Sequence, residues 1–260
     1  MKNRSIDRQR IADYCVFGIL LLLYSGLTFT LFYRQAIEYQ GMYVSDMKAY
    51  IQETMGLESG YEFPYRFFFW LSRLWLPVAT PAAAVAFSTM LLNSAGVIAL
   101  KCFLGRKLKE YAGKHLVPWS FLWDAAVNFF VFSLFFVSMF YGPRGYAIFG
   151  YDYIYRCAGI LTANPYWNAT YLAVRPFTIL CFFWTAELLE VYEAGLPVKK
   201  AVLLAAFSFL AAFTKPSFAF VQLPVAGCVL LYRLIASKFR NWKNTLRFGC
   251  CFLPAGFLLL

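Results

Sequence analysis

A single aspartate stands where a carboxylate could do chemistry at a membrane surface. Asp46 follows a long apolar segment and opens the stretch "SDMKAYIQ". As a helix cap, Ser45 or Asp46 would bind the free amides of the first turn, a contribution of about 1 kcal/mol. As a general base, Asp46 would accept a proton from a bound hydroxyl. Asparagine caps a helix as well as aspartate but accepts no proton, so Asp46→Asn separates the two interpretations.

A second acid falls in the later polar segment 142–170, which contains "YGPRGYAIFGYDYIYR". Asp152 is the only acid of this segment. One interpretation pairs Asp152 with Asp46 around a divalent cation, Mg²⁺ or Mn²⁺, or uses it to position an acceptor sugar. The other makes it a solvated aspartate that is satisfied by Arg144 or Arg156. The sequence leaves both open, and it predicts no metal ligand with certainty.

Basic residues accompany these acids and would suit a phosphate. Guanidinium groups match phosphate oxygens with paired hydrogen bonds and stabilise charge as it develops. We expect Lys215 and Arg175, and next Arg66, to bind a lipid phosphate if one is the leaving group. The other cations predicted on the same side are expected in the phosphate zone of the bilayer, and they are Arg34, Lys48, Arg73, Arg144 and Arg156.

The elements that must position these residues are apolar helices. The chain of 260 residues is 61% hydrophobic and 14% charged, and runs of about 20 apolar residues are typical of membrane spans. The predicted fold is all-α, a polytopic transmembrane bundle of about six spans plus an incomplete seventh. The predicted spans are residues 12–33, 78–104, 119–141, 171–194, 201–213 and 216–235.

The last apolar run, residues 248–260, is too short to cross a bilayer core of about 30 Å. The sequence therefore predicts one transmembrane domain, residues 1–260, that ends inside a helix, as a truncated chain or partial gene product would. Lysine and arginine concentrate on the side of the N-terminus, which predicts a cytoplasmic N-terminus. The net charge of +11 is then explained by the orientation of the chain in the membrane and by contact with anionic lipids. We expect no nucleic-acid partner.

Two features of the chain would bring polar groups to the opposite side. The segment 34–77 predicts two interfacial helices, the second with Pro64 as its first residue and Pro77 as its stop. Arg66 and Arg73 share a face of that helix, among aromatic residues. Pro216 breaks a later apolar run and places Lys215 at the break, where an anionic partner is expected. The apolar face of the first interfacial helix consists of Met47, Tyr50, Ile51 and Met55.

Other polar residues favour structural roles. Glu187, Glu190 and Glu193 recur every three residues and read as a solvated helix end paired with lysines, with a proton path as the alternative. Asp124 and Asn128 are predicted to tie helices together. The seven cysteines and one histidine show no CxxC pattern, which argues against zinc or iron–sulfur sites.

The layout resembles that of the GT-C superfamily of membrane glycosyltransferases, especially its uncharacterised bacterial members. The matching stretches are "SDMKAYIQ", "YEFPYRFFFWLSRL", "NPYWNATYLAVRPF" and "TKPSFAF". The likeness covers most of the chain in layout, and its motifs are short. Many members carry two adjacent acids in the first outer loop, whereas Ser45 and Met47 flank Asp46 here.

The resemblance implies that Asp46 is the catalytic base and that the donor is a polyprenyl-phosphate-linked sugar. It implies transfer to an unknown glycan, lipid or protein acceptor on the non-cytoplasmic face, with inversion, in a bacterial plasma membrane and cell envelope. It also implies a divalent metal in some members and none in others. Trp167 and the neighbouring tyrosines would stack on sugar faces.

Two alternatives stay open from the sequence. A polytopic transporter or flippase of lipid-linked or small solutes would use the break at Lys215 as its substrate site. Such proteins commonly contain internal repeats, and the sequence shows none. A lipid-linked oligosaccharide polymerase or ligase would share the substrate class without the early aspartate.

Overall fold

The computed structural model describes residues 2–38, 45–115, 120–136 and 168–259. These parts of the chain are helical and contain no strand, which confirms the predicted all-α class. The helices are α1 (Lys2–Ile37), α2 (Met47–Met55), α3 (Phe67–Arg73), α4 (Pro81–Lys114), α5 (Phe121–Phe136), α6 (Ala169–Ala173), α7 (Arg175–Val191), α8 (Val198–Thr214), α9 (Ser217–Ala236), α10 (Trp242–Cys250) and α11 (Leu253–Phe257).

Helices α1, α4 and α5 form one packed unit. α1 and α4 run antiparallel, because Asp13 contacts Lys101 while Tyr24 contacts Asn93. α5 lies against both, and the aromatic ring of Phe132 on α5 packs beside that of Tyr24. The core of this unit is apolar apart from a few paired polar side chains. We call the end of the bundle that holds Lys101 the N-terminal face and the opposite end, near residues 45–80, the Asp46 face.

Helices α7, α8 and α9 form a second unit beside α4. A close approach at Gly96 joins the two units, because a Cβ there would lie 3.2 Å from the Cβ of Arg175 and 3.4 Å from the nitrogen of Pro176. α7 and α8 run antiparallel, with Cys181 against Ser208 in the middle. α7 and α9 are linked where Gln222 donates a hydrogen bond to Thr185 at 3.2 Å.

Four described segments are long and apolar enough to cross a membrane, and a fifth apolar helix, Phe121–Phe135, is shorter. These apolar helices indicate a membrane protein. Helix α8 has 17 residues, about 26 Å at 1.5 Å per residue, which is short of a core of about 30 Å. The predicted count of six spans therefore stays a prediction. The four long segments are Gln9–Ile37, Pro81–Lys114, Ala169–Val191 and Ser217–Ala236.

Helices α2 and α3 cap the Asp46 face of the bundle. Tyr50, Phe68 and Phe69 are buried against one another and against α4. Met47 is buried as expected, whereas Met55 is exposed, so the predicted apolar face of α2 covers only its first turns. Burial against the bundle, rather than a position among lipid headgroups alone, holds these short helices in place.

The limits predicted for α3 are wrong by several residues. The helix begins at Phe67 rather than at Pro64 and ends at Arg73, before Pro77. Arg73 donates hydrogen bonds to the carbonyl oxygens of Thr54 and Glu53, at 2.9 and 2.8 Å, at the C-terminal end of α2, where carbonyl groups attract a cation. The arginine therefore ties α3 to α2, where the sequence had suggested contact with lipid phosphates.

The last apolar run also differs from the prediction. Helix α10 begins at Trp242, six residues before the predicted start at Phe248. The chain turns at Cys251 and Phe252 before α11 begins. α11 packs beside α8 and α9, where Ala255 contacts Ala212 and Ala219 in a small apolar cluster.

A buried ionic triad lies between α1, α4 and α5 near the N-terminal face. The ammonium of Lys101 donates to Asp13 Oδ1 at 2.8 Å and to Asn128 Oδ1 at 2.6 Å. Asn128 Nδ2 donates to Asp13 Oδ1 at 2.9 Å and closes the ring of contacts. Nearby, Gln9 donates to Asp124 at 2.9 Å. Asp124 and Asn128 thus connect helices, in agreement with the structural role expected of them.

Candidate functional site

The site is built around Asp46, at the start of α2. Its side chain makes no hydrogen bond to the amides of the first turn, so the capping interpretation is wrong for Asp46, whereas Ser45 Oγ accepts from the backbone N–H of Met47 at 3.3 Å. Oδ2 instead accepts hydrogen bonds from the hydroxyl of Tyr50 at 3.3 Å and from Nδ2 of Asn168 at 3.1 Å. The residue is exposed. A carboxylate held on one side and open on the other can receive a proton from a molecule that arrives at this face.

Asn168 links Asp46 to a cation. While its Nδ2 donates to Asp46, its Oδ1 accepts from the ammonium of Lys215 at 3.2 Å. The same oxygen caps the short helix α6 by accepting from the backbone N–H of Tyr171 at 3.1 Å, and it accepts from the hydroxyl of Thr170 at 2.7 Å. These bonds fix the orientation of the amide. The acid and the cation are therefore held in one hydrogen-bonded assembly without direct contact.

Lys215 lies at the predicted break, between α8 and α9. Its backbone is extended, with φ −164° and ψ 121°, and its ammonium also donates to Thr170 Oγ1 at 3.1 Å. It lies 5.6 Å from the centre of the Tyr65 ring, a favourable distance for a cation–π contact. Burial lowers the pKa of Lys215 below its ordinary value, and the charge of Asp46 opposes that effect. The ammonium is half-buried beside an acid.

Two tyrosines complete the assembly. Burial raises the pKa of Tyr50 well above its ordinary value, and the charge of Asp46 adds to the effect. Burial likewise raises the pKa of Tyr65, again with a contribution from Asp46. Both hydroxyls therefore stay protonated at neutral pH and serve as donors. We call Asp46, Tyr50, Tyr65, Asn168, Thr170 and Lys215 the Asp46 cluster.

The structure places the two predicted arginines elsewhere. Arg175 is the first residue of α7 and donates to Asn93 Oδ1 at 3.2 Å inside the bundle, with its guanidinium 4.9 Å from the Phe135 ring. Arg66 forms an ion pair with Glu53 on α2. Their described contacts therefore do not converge with Lys215 on one point. Asp152 and Trp167 lie outside the described residues.

The described part of the site does not fit a divalent cation. Asp46 is the only carboxylate of the Asp46 cluster, and the nearby charge is the ammonium of Lys215, which would repel a metal ion. Among the residues that the structure describes, no group of three or more histidine, cysteine, aspartate or glutamate side chains could hold a metal.

Sequence reasoning found Asp46 and Lys215 but missed the residues between them. Asn168 and Thr170 enter the sequence analysis only as part of the stretch "NPYWNATYLAVRPF". Tyr50 had been assigned to an apolar face. The signal available in the sequence was the pair of polar residues Asn168 and Thr170 directly before an apolar span, because polar groups at that position need partners.

Comparison of the chain with protein-family models, with curated proteins and with solved structures finds no significant match.

Proposed function

We propose that the chain is a membrane glycosyltransferase. It transfers a sugar from a polyprenyl-phosphate donor to an acceptor hydroxyl on the non-cytoplasmic face of the membrane, with inversion. The observation that carries the proposal is the bridge through Asn168, which holds the carboxylate of Asp46 and the ammonium of Lys215 in one assembly. The resemblance in layout to the GT-C superfamily supports the same function.

In this reaction Asp46 accepts the proton of the acceptor hydroxyl while that oxygen forms a bond to the anomeric carbon. The bond between the anomeric carbon and the phosphate oxygen breaks, and its electron pair stays on the departing lipid phosphate. Lys215 neutralises part of that charge. General base catalysis contributes about 10²–10⁴ in rate, and electrostatic stabilisation of the leaving group adds to it.

The two cluster tyrosines support this assignment of roles. The hydroxyl of Tyr50 donates to the same oxygen of Asp46 that Asn168 binds, which leaves Oδ1 for the acceptor. The ring of Tyr65 and the ammonium of Lys215 lie side by side, so a sugar phosphate at Lys215 would bring its ring near an aromatic face. Aromatic side chains and sugars pack well because both present flat apolar surfaces.

The test compares wild type with Asp46→Asn in membranes that contain the whole chain. Membranes are supplied with a panel of radiolabelled polyprenyl-phosphate sugars, and sugar transferred or released is measured. Asparagine can still accept the bonds from Tyr50 and Asn168 but cannot take a proton, so we expect a loss of at least about 10²-fold. Glu58→Gln is the matched control, because Glu58 is an exposed acid between α2 and α3.

Undiminished turnover by Asp46→Asn would remove the carboxylate from the mechanism. The rival function, a transporter or flippase, is favoured by one observation, the half-buried Lys215 at a helix break. Movement of an intact lipid-linked sugar across proteoliposomes, without cleavage of its glycosidic bond, would establish that function in place of transfer.

A further inference from the structure

A second site of different character lies on the N-terminal face, where α9 leaves its span. The last turn of α9, the turn that follows it and helix α10 together carry five basic residues and no acid between residues 233 and 247. α9 is one of the four candidate spans and ends at Ala236. The turn that follows it, residues 237–241, therefore lies at the depth of lipid headgroups if α9 crosses the membrane. The five residues are Arg233, Lys238, Arg240, Lys243 and Arg247.

The side chains of α10 divide into three stripes. Asn244 and the N-cap residue Asn241 face the turn after α7, where they donate to the carbonyl oxygen and the carboxylate of Glu193 at 3.1 and 3.0 Å. Trp242 and Leu246, one turn apart, are 49% and 58% exposed. A helix with one protein-facing stripe, one apolar exposed stripe and one basic stripe is suited to lie in the plane of a membrane interface.

The basic stripe is formed by Lys243 and Arg247, which are also one turn apart and exposed. The ammonium of Lys243 lies 5.7 Å from the Trp242 ring, so the cation and the aromatic ring project from the same end of α10. Phe239 in the preceding turn is 58% exposed. Aromatic residues beside lysine and arginine are typical of the boundary between acyl chains and headgroups.

A cavity of about 580 Å³ opens beside this turn and is lined by Arg233, Ser237, Arg240 and Asn241 among others. This volume is within the range of about 300–1,000 Å³ that small-molecule sites occupy. Glu193 is the one acid of the lining, and Asn241 already binds its carboxylate. Arg240 lines the cavity and uses Nε to bind the carbonyl oxygen of Ser237 at 3.2 Å, so Nη1 and Nη2 remain to bind a ligand.

The backbone of the turn has an unusual conformation beside the cavity. Lys238 and Phe239 have φ of 51° and 63°, the left-handed region that side chains with a Cβ adopt at a cost. Two successive residues in that region expose Phe239 and bring Arg240 back toward α9, where it binds Ser237. The turn thus presents its cation and its aromatic ring together.

We propose that this turn and α10 form a binding site for the headgroup of an anionic phospholipid. The phosphate of the lipid is bound by Arg240 and Lys243, and its acyl chains lie along Trp242 and Leu246. The excess of cations over the single carboxylate of Glu193 favours an anionic headgroup over a zwitterionic one. This inference stands independently of the glycosyltransferase proposal, because it involves the opposite face and no chemical step.

The experiment measures lipid retention by the whole chain in native mass spectrometry. The purified protein is titrated with phosphatidylglycerol or with phosphatidylcholine, and the dissociation constant of the first bound lipid is determined. We expect wild type to prefer phosphatidylglycerol, and the double variant Arg240→Ala/Lys243→Ala to bind it about tenfold less tightly or worse. Raising the salt concentration should weaken the wild-type preference.

A charge-matched control separates a local site from general attraction. Lys114→Ala/Lys199→Ala removes two exposed cations from the ends of α4 and α8 on the same face and should leave the dissociation constant within about twofold of wild type. The proposal is overturned if both double variants lose affinity equally. It is also overturned if phosphatidylcholine binds as tightly as phosphatidylglycerol, or if Trp242→Ser leaves affinity unchanged.

Discussion

Replacing Lys101 with methionine should destabilise the chain far more than removing the whole buried triad around it. Lys101 Nζ lies 2.8 Å from Asp13 Oδ1, and the two side chains are only 12% and 8% exposed. At an effective dielectric constant of about 20 their attraction is about 6 kcal/mol. Moving both ions out of water costs several kcal/mol each, so the net contribution of the pair is near zero.

Removing one partner changes that balance. In Lys101→Met the carboxylate of Asp13 stays buried with only the amide of Asn128 to bind it, and the expected loss is about 3–5 kcal/mol. In Asp13→Leu/Lys101→Met/Asn128→Leu neither charge nor amide remains buried. We expect the free energy of unfolding of that triple variant to lie within about 2 kcal/mol of the wild-type value, because apolar side chains of similar volume replace the triad.

The assay is reversible unfolding in mixed micelles, followed by circular dichroism or by a steric-trapping probe. Lys114→Met is the control, because it makes the same substitution at the exposed end of the same helix. A loss below about 1 kcal/mol in Lys101→Met would refute the reasoning, since surface pairs contribute no more than that. A triple variant as unstable as Lys101→Met would refute it as well.

Three further outcomes follow from the site and the bundle. Because burial lowers the pKa of Lys215, the proposed transfer activity should decline at a lower alkaline pH than it would with an exposed lysine. Lys215→Arg should move this decline to higher pH. A pH profile that is unchanged in Lys215→Arg would exclude Lys215 from the reaction. Tyr50→Phe removes one hydrogen-bond donor to Asp46. Turnover should fall, while the free energy of unfolding, followed by thermal unfolding, should drop by only about 1 kcal/mol. Turnover equal to that of wild type would contradict the role of Tyr50 in orienting Asp46. Gly96→Val should lower the free energy of unfolding by about 1–3 kcal/mol, because the added side chain overpacks the contact with α7. Gly105→Val is the control, because its Cβ would meet no atom within 4 Å and only helix propensity changes. Equal losses of stability in the two variants would contradict the close approach at Gly96.

The apolar runs predicted the helices well because a membrane span is a local property of the sequence. The pair 201–213 and 216–235 is observed as Val198–Thr214 and Ser217–Ala236, with Lys215 between them. Hydropathy and a single proline suffice for such a prediction. The N-terminal limits of α3 and α10 were harder, because tertiary contacts and capping decide where a short helix begins.

The site was predicted only in part, for a reason that concerns sequence separation. The hydrogen bond from Asn168 to Asp46 joins residues 122 positions apart. No periodicity or motif within either segment predicts this contact. The residue type of Arg66 predicts binding to a phosphate, whereas in the structure Arg66 forms an ion pair with Glu53. Charge type is visible in a sequence, whereas the identity of the partner is a property of the fold.

The bridge through Asn168 also bears on how the protein is made. Its three members, Asp46, Asn168 and Lys215, enter the membrane with early, middle and late segments of the chain. A nascent chain that has inserted α1 to α7 still lacks the ammonium of Lys215, the cation of the Asp46 cluster. The Asp46 cluster is therefore complete only after α8 and α9 are inserted, and under the proposed function a partly synthesised chain would be inactive.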